Sequence, residues 1–143
     1  NMQMHPKDTG GSFFEIDEQL GPNAHDPDGP WEPAGPDWKA GQVLDRVTGI
    51  AAPELQCDDP EAVAARWSEI SQIPLGRQDD TPMLWLDNAT LPIVPCTDGR
   101  PEGLGGIDLT TADKAAFLEA AGARDLITAP DQIYLCGMRI NLL

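Results

Sequence analysis

Glu15 is the first residue to ask chemistry of. It stands in Ser12-Phe13-Phe14-Glu15-Ile16, an apolar stretch after a turn rich in Pro, Asp and Gly. Side chains alternate along a strand, so Phe14 and Ile16 share one side and Phe13 and Glu15 the other. A carboxylate there is either a metal ligand or catalytic acid, or a group that simply faces solvent. The turn before it holds His5, Lys7 and the pair Gly10-Gly11. Lys7 and the two glycine amides could meet an anionic substrate group, as amides at many Gly-rich turns do. His5 could equally pack at the hairpin mouth and bond to the backbone. His25 has no partner at metal-binding spacing. Asp26, Asp28 and Glu32 are oxygen ligands by type, but the prolines among them prevent a compact calcium loop.

Further along, Asp108 follows Ile107 in an apolar stretch, and Arg139 and Asn141 alternate in the last one. They read either as polar groups lining a pocket or as the solvent face of an edge strand. Cys57, Cys96 and Cys136 are odd in number and lack CxxC spacing, so they read as small core residues in a reducing cytoplasm. There is no GxSxG and no GxxxxGK. Both histidines lie in the N-terminal quarter, which leaves no evident base for a cysteine nucleophile.

The elements that must position these residues can be read from period and punctuation. Residues 2–5 and 12–16 form a hairpin. Residues 21–42 are a linker, too dense in Pro and Gly for regular structure, with Trp31 or Trp38 pinning it to the rest. From residue 43 a globular part begins. Residues 47–57 form a strand bent near Pro53, and Asp58 or Asp59 caps a helix with Pro60 in its first turn. Val63, Trp67 and Ile70 recur at helical spacing. Residues 83–86 and 90–94 form a strand pair around Asp87-Asn88. Then the pattern returns: a strand over 104–109, a helix over 112–121 capped by Thr111 and ended by Gly122, and strands over 132–135 and 138–143. Thr48-Gly49-Ile50 aligns with Gly105-Gly106-Ile107, and Trp85-Leu86-Asp87-Asn88 with Tyr134-Leu135-Cys136-Gly137. Two copies of strand, helix and hairpin indicate duplicated βαβ(β)β modules, the second short between Gly122 and Asp131, with one strand reduced or missing there.

The run His5-Pro6-Lys7-Asp8-Thr9-Gly10-Gly11 followed by Glu15 resembles the closing hairpin of methylmalonyl-CoA epimerases. These belong to the vicinal-oxygen-chelate superfamily, with the glyoxalases and bleomycin-resistance proteins. The resemblance implies an α+β fold of repeated βαβββ modules, with a curved, mostly antiparallel sheet and two helices. It makes residues 1–20 the closing hairpin of a module otherwise missing, and residues 43–143 a paired-module domain. It also implies that Glu15 is a ligand of a divalent metal. In that family a module's first strand commonly supplies His or Gln and its last strand Glu. The corresponding residues here are Gly49 and Gly106, then Pro92 and Asn141, none of them fit to coordinate well. No cofactor is therefore expected within 43–143, and a metal at Glu15 would need ligands from outside this chain.

Two functions follow from the resemblance. One is an enzyme, a glyoxalase-type lyase or epimerase-type isomerase, that abstracts a proton next to a carbonyl with metal assistance. The other is a non-catalytic module that binds a small molecule or serves as a scaffold. Lys7, Gly10, Gly11, Asp108, Arg139 and Asn141 are the candidate ligand-binding residues. The charge of −15, from nine basic and 24 acidic residues, argues against nucleic acid and anionic membranes. No apolar run approaches the ~20 residues of a membrane span, and no secretory leader pattern is visible. The expected partners are a small molecule and a second copy of the chain in a cytoplasmic homodimer.

Overall fold

A computed structural model describes residues 1–26 and 28–143; Pro27, one of the linker prolines, lies outside the described residues. The opening hairpin forms from β1 (Met2–Met4) and β2 (Phe14–Ile16), antiparallel with Gln3 opposite Glu15. Its turn contains one helical turn, α1 (Pro6–Thr9). His5 caps that turn, its Nδ1 accepting the Lys7 amide at 3.1 Å, and its ring packs edge-on against Phe13. Gly10 and Gly11 have φ of +74° and +70°, which a side chain would disfavour, and so let the chain reverse.

Among the described residues the hairpin pairs with no other strand. It docks through side chains instead. Phe14 is buried edge-on against Trp67, with ring centroids 4.8 Å apart. The Trp67 indole donates to Gly10 O at 3.2 Å, and Arg66 Nε donates to Asp8 O at 3.0 Å. Residues 32–34 and 38–41 of the linker make short 3₁₀ turns. Trp31 stays exposed, and Lys39 Nζ lies 5.3 Å from the centre of the Trp38 ring.

Two βαβββ units follow. The first is β3 (Val47–Cys57), α2 (Pro60–Ser71), β4 (Leu75–Gln78), β5 (Thr81–Trp85) and β6 (Thr90–Pro95). The second is β7 (Gly103–Thr111), α3 (Lys114–Gly122), β8 (Ile127–Ala129), β9 (Gln132–Leu135) and β10 (Met138–Leu142). The second unit keeps all its strands, but β8 has only three residues. Together they form one open sheet in the order β4-β5-β6-β3-β7-β10-β9-β8. In each unit the last strand returns parallel beside the first; every other pairing is antiparallel. The two first strands meet at the sheet centre.

Local chemistry explains the helices. Asp59 caps α2, its side chain accepting the Ala62 amide at 3.1 Å, and Pro60 takes the first position. α3 begins later than the sequence suggested. Thr111 stays in β7, where its hydroxyl donates to Leu143 O, and Asp113 caps the helix by accepting from the Ala116 amide at 2.9 Å. Both helices lie over the same face of the sheet. Under α2 a core joins Phe14, Leu55, Cys57, Val63, Ala64, Trp67, Leu84 and Ile93. Under α3 a thinner one joins Ala121, Ile133 and Leu142.

Candidate functional site

Alternation along the central strands sends Leu55 and Cys57 toward α2, and therefore Glu54 and Gln56 to the opposite face. By the same period Ile140 and Leu142 join the α3 core, while Arg139 and Asn141 face the other way with Asp108. These residues form one polar network across β3, β7 and β10. Arg139 is its hub. Its Nη2 meets Glu54 Oε2 at 3.2 Å, its Nη1 meets Asp98 Oδ2, and both terminal nitrogens lie 3.3 Å from Gln56 Oε1. Asn141 Nδ2 donates to Glu54 Oε1 at 2.9 Å and to Asp108 Oδ1 at 2.6 Å, and its carbonyl accepts from Gln132 at 2.9 Å.

Arg100 closes the network from the connector after β6. It binds Asp98 Oδ2 at 2.6 Å and donates to the carbonyls of Gly105 and Gly137, each at 2.6 Å. These hydrogen bonds hold the Asp98 carboxyl well below the usual carboxylate range, and Asp98 in turn raises Arg100. The side chains of Arg139 and Glu54 are each only 16% exposed, so the pair lies in poorly screened surroundings. Among the described residues no buried side-chain nitrogen or oxygen lacks a partner. The network is complete within itself.

The sheet register places the two units against each other. Leu55 pairs with Ile93 on the parallel side of the first unit, and Leu109 with Leu142 in the second. The last strands correspond as the sequence suggested, with Leu84 opposite Leu91 and Ile133 opposite Ile140. Leu55 is therefore equivalent to Leu109, Ala52 to Gly106, and Glu54 to Asp108. The central pairing is symmetric in the same sense: Ala52 faces Asp108 and Glu54 faces Gly106. The letter match of Gly49 with Gly106 is thus three residues out of register. Gly106 itself has a packing reason, since a Cβ there would collide with Glu54 Oε2.

The fold is glyoxalase-like. The chain superposes on methylmalonyl-CoA epimerase from Mycobacterium tuberculosis with a TM-score of 0.53, at 12% identity, over 71% of this chain and 90% of that one. A Streptomyces coelicolor methylmalonyl-CoA epimerase in complex with 2-nitronate-propionyl-CoA matches with a TM-score of 0.45 and 13% identity, over 67% of this chain and 96% of that one. A hypothetical protein from Staphylococcus aureus gives 0.46 and 12%, over 66% of this chain but only 33% of its own. No protein-family model and no curated protein sequence matches the chain.

The sequence candidates fall into separate places on this fold. Asp108, Arg139 and Asn141 come together in the polar network. Lys7, Gly10 and Gly11 lie in the hairpin on the helix side, where the glycines pack against Val63 and Leu55. The Gly11 amide does hold a carboxylate, but it is the chain's own Glu102, at 3.2 Å. Glu15 is exposed and accepts from Gln3 Nε2 at 3.2 Å. Among the described residues no three His, Cys, Asp or Glu side chains are placed to hold a metal ion together. Glu54, Gln56, Asp98 and Arg100 escaped the sequence reading. Two polar residues at alternate positions in an otherwise apolar strand were the available signal for the first pair.

The donor set of the network does not suit a divalent cation. The positions equivalent across the units carry Ala52 and Gly106 on the first strands and Pro92 and Asn141 on the last. The carboxylates of Glu54 and Asp98 are already neutralised by a guanidinium. A cation seated beside Arg139 would meet like charge and would have to take those carboxylates from it.

Proposed function

We propose that this chain is a non-catalytic module of the glyoxalase-like fold, one that encloses a small molecule or braces a larger assembly rather than turning over a substrate. One observation carries the reading: Arg139 occupies the middle of the face opposite the helices and consumes Glu54, Asp98 and Gln56 there. A metal-assisted proton abstraction needs an open coordination position and a free base, and this network leaves neither. A small ligand would instead lie over the network, against Tyr134, whose ring is stacked 6.0 Å from the Arg100 guanidinium. A divalent ion at Glu15 would take its remaining ligands from outside residues 1–143. We also propose that two copies associate in the cytoplasm, a reading favoured by exposed Ile50, Trp85 and Leu104 on the sheet and by three free cysteines.

The test is elemental analysis of the full chain purified without chelators, together with thermal melts in added manganese, cobalt, nickel or zinc. The expected result is less than stoichiometric metal and no shift in melting temperature. One tightly held divalent ion per chain, lost in Glu54→Gln, would overturn the reading in favour of the enzyme.

A further inference from the structure

We propose that the cleft beside α3 is a binding site for a small amphipathic carboxylate, a molecule with an acyl body and a single anionic head. The site lies on the helix side of the sheet, apart from the polar network and independent of the function proposed for it. The cleft has a volume of about 370 Å³, within the range of roughly 300–1,000 Å³ that small-molecule sites occupy. Its floor is Ile133 and Leu135 of β9, with Leu126 before β8 and Phe117 on the flank. α3 leaves the space open because Ala116, Ala120 and Ala121 stand where larger side chains would fill it.

Charge gives the cleft its selectivity. The chain has nine basic residues among 24 acidic ones. Among the described residues, Lys39, Arg66, Arg77, Arg100, Lys114 and Arg139 each pair with a carboxylate. Lys7, Arg46 and Arg124 do not, and Arg46 and Arg124 both line this cleft. Arg124 Nη1 donates to Ala120 O at 2.7 Å, which ties that guanidinium to the end of α3. In so acidic a chain two unpaired arginines beside an otherwise apolar wall are a matched setting for an anion with an apolar tail. The arginine fork suits a carboxylate in shape as well as charge.

The experiment uses the full chain, isotopically labelled, titrated with octanoate and separately with octanamide, its neutral counterpart. Backbone amide shifts locate binding. Octanoate is expected to bind with a dissociation constant of about 1 mM or tighter and to move the amides of α3 and β9. Octanamide should bind at least tenfold more weakly, and Arg46→Gln with Arg124→Gln should weaken octanoate by roughly tenfold or more. Ala120→Leu, which fills the cleft without touching charge, should abolish binding of both probes. The unliganded spectrum of each variant reports whether it has folded. If a variant unfolds, the octanoate and octanamide comparison on the unaltered chain decides alone. Equal binding of the two probes, absence of octanoate binding, or shifts centred on Glu54 and Arg139 would each overturn the proposal.

Discussion

Replacing Phe14 by Ala asks whether the N-terminal hairpin belongs to the folded domain or merely lies against it. Phe14 is 8% exposed and sits in the α2 core with Trp67, Leu55 and Leu84. Truncating a buried phenylalanine costs about 3–5 kcal/mol through lost burial and the cavity left behind. Part of that cost is specific to the edge-on contact with Trp67, and such aromatic pairs add about 0.5–1.5 kcal/mol beyond their area. A double-mutant cycle with Trp67→Leu isolates this part. Trp67→Leu also removes the indole donor to Gly10 O, so that single variant should lose hairpin contact even with Phe14 in place. Urea unfolding followed by far-ultraviolet circular dichroism gives each free energy. The expectation is one transition, a loss of about 3 kcal/mol or more for Phe14→Ala, and a coupling of at least about 0.5 kcal/mol. A loss under about 1 kcal/mol with no coupling would refute the reasoning and leave the hairpin as a loosely tethered arm.

Arg139→Met strands the Glu54 carboxylate in a partly buried position, while Asp98 keeps Arg100, and should destabilise the chain by about 3 kcal/mol. Adding Glu54→Leu should recover a good part of that loss in the same urea assay. Asp98 should make the chain acid-sensitive. Its folded carboxyl titrates lower than in the unfolded chain, so the stability it lends is complete above the ordinary pKa of about 3.9 and drains away as pH falls below it. Melting temperatures from pH 6 down to about 2 should decline less in Asp98→Asn than in the parent, once normalised to pH 6. The cysteines should separate by reactivity. Cys136 is exposed, whereas burial, then the nearby Glu102 carboxylate, pushes the Cys57 thiol up to about 12. A thiol reagent at neutral pH should label Cys136 in the folded protein and Cys57 only after unfolding.

The elements most legible in the sequence were those whose signals are local. Asp59 and Pro60 mark the start of α2, Val63 and Trp67 fix its buried face, and Cys136-Gly137 marks the turn between β9 and β10, with φ of +53° and +81°. Two edge strands were not legible. β4 has four residues and β8 three, and neither alternates clearly; their extended form comes from pairing with β5 and β9. Gly76 in β4 has a cross-strand reason, since a Cβ there would meet the Trp85 indole at 2.5 Å. Asp108, Arg139 and Asn141 could be picked out because each interrupts an apolar stretch. Their partners Asp98 and Arg100 could not, because a connector of Asp, Gly, Arg and Pro looks the same whether it caps a network or only turns the chain. The register of the first strands was unreadable for a different reason: Gly-Ile recurs at 49–50 and 106–107, while the equivalence is set by pairing with β6 and β10.

The bond between the Gly11 amide and Glu102 spans 91 residues of sequence. During synthesis the hairpin leaves the ribosome before α2 and Glu102, so its docking surface is incomplete until they have followed. At translation rates of about 5–20 residues per second, that interval is roughly 5–20 s. For that time Phe14, buried in the folded chain, lacks the α2 core that covers it. Behind it stand Asp17 and Glu18, and Asp26 and Asp28 of the linker, whose negative charge favours solubility while the core is incomplete.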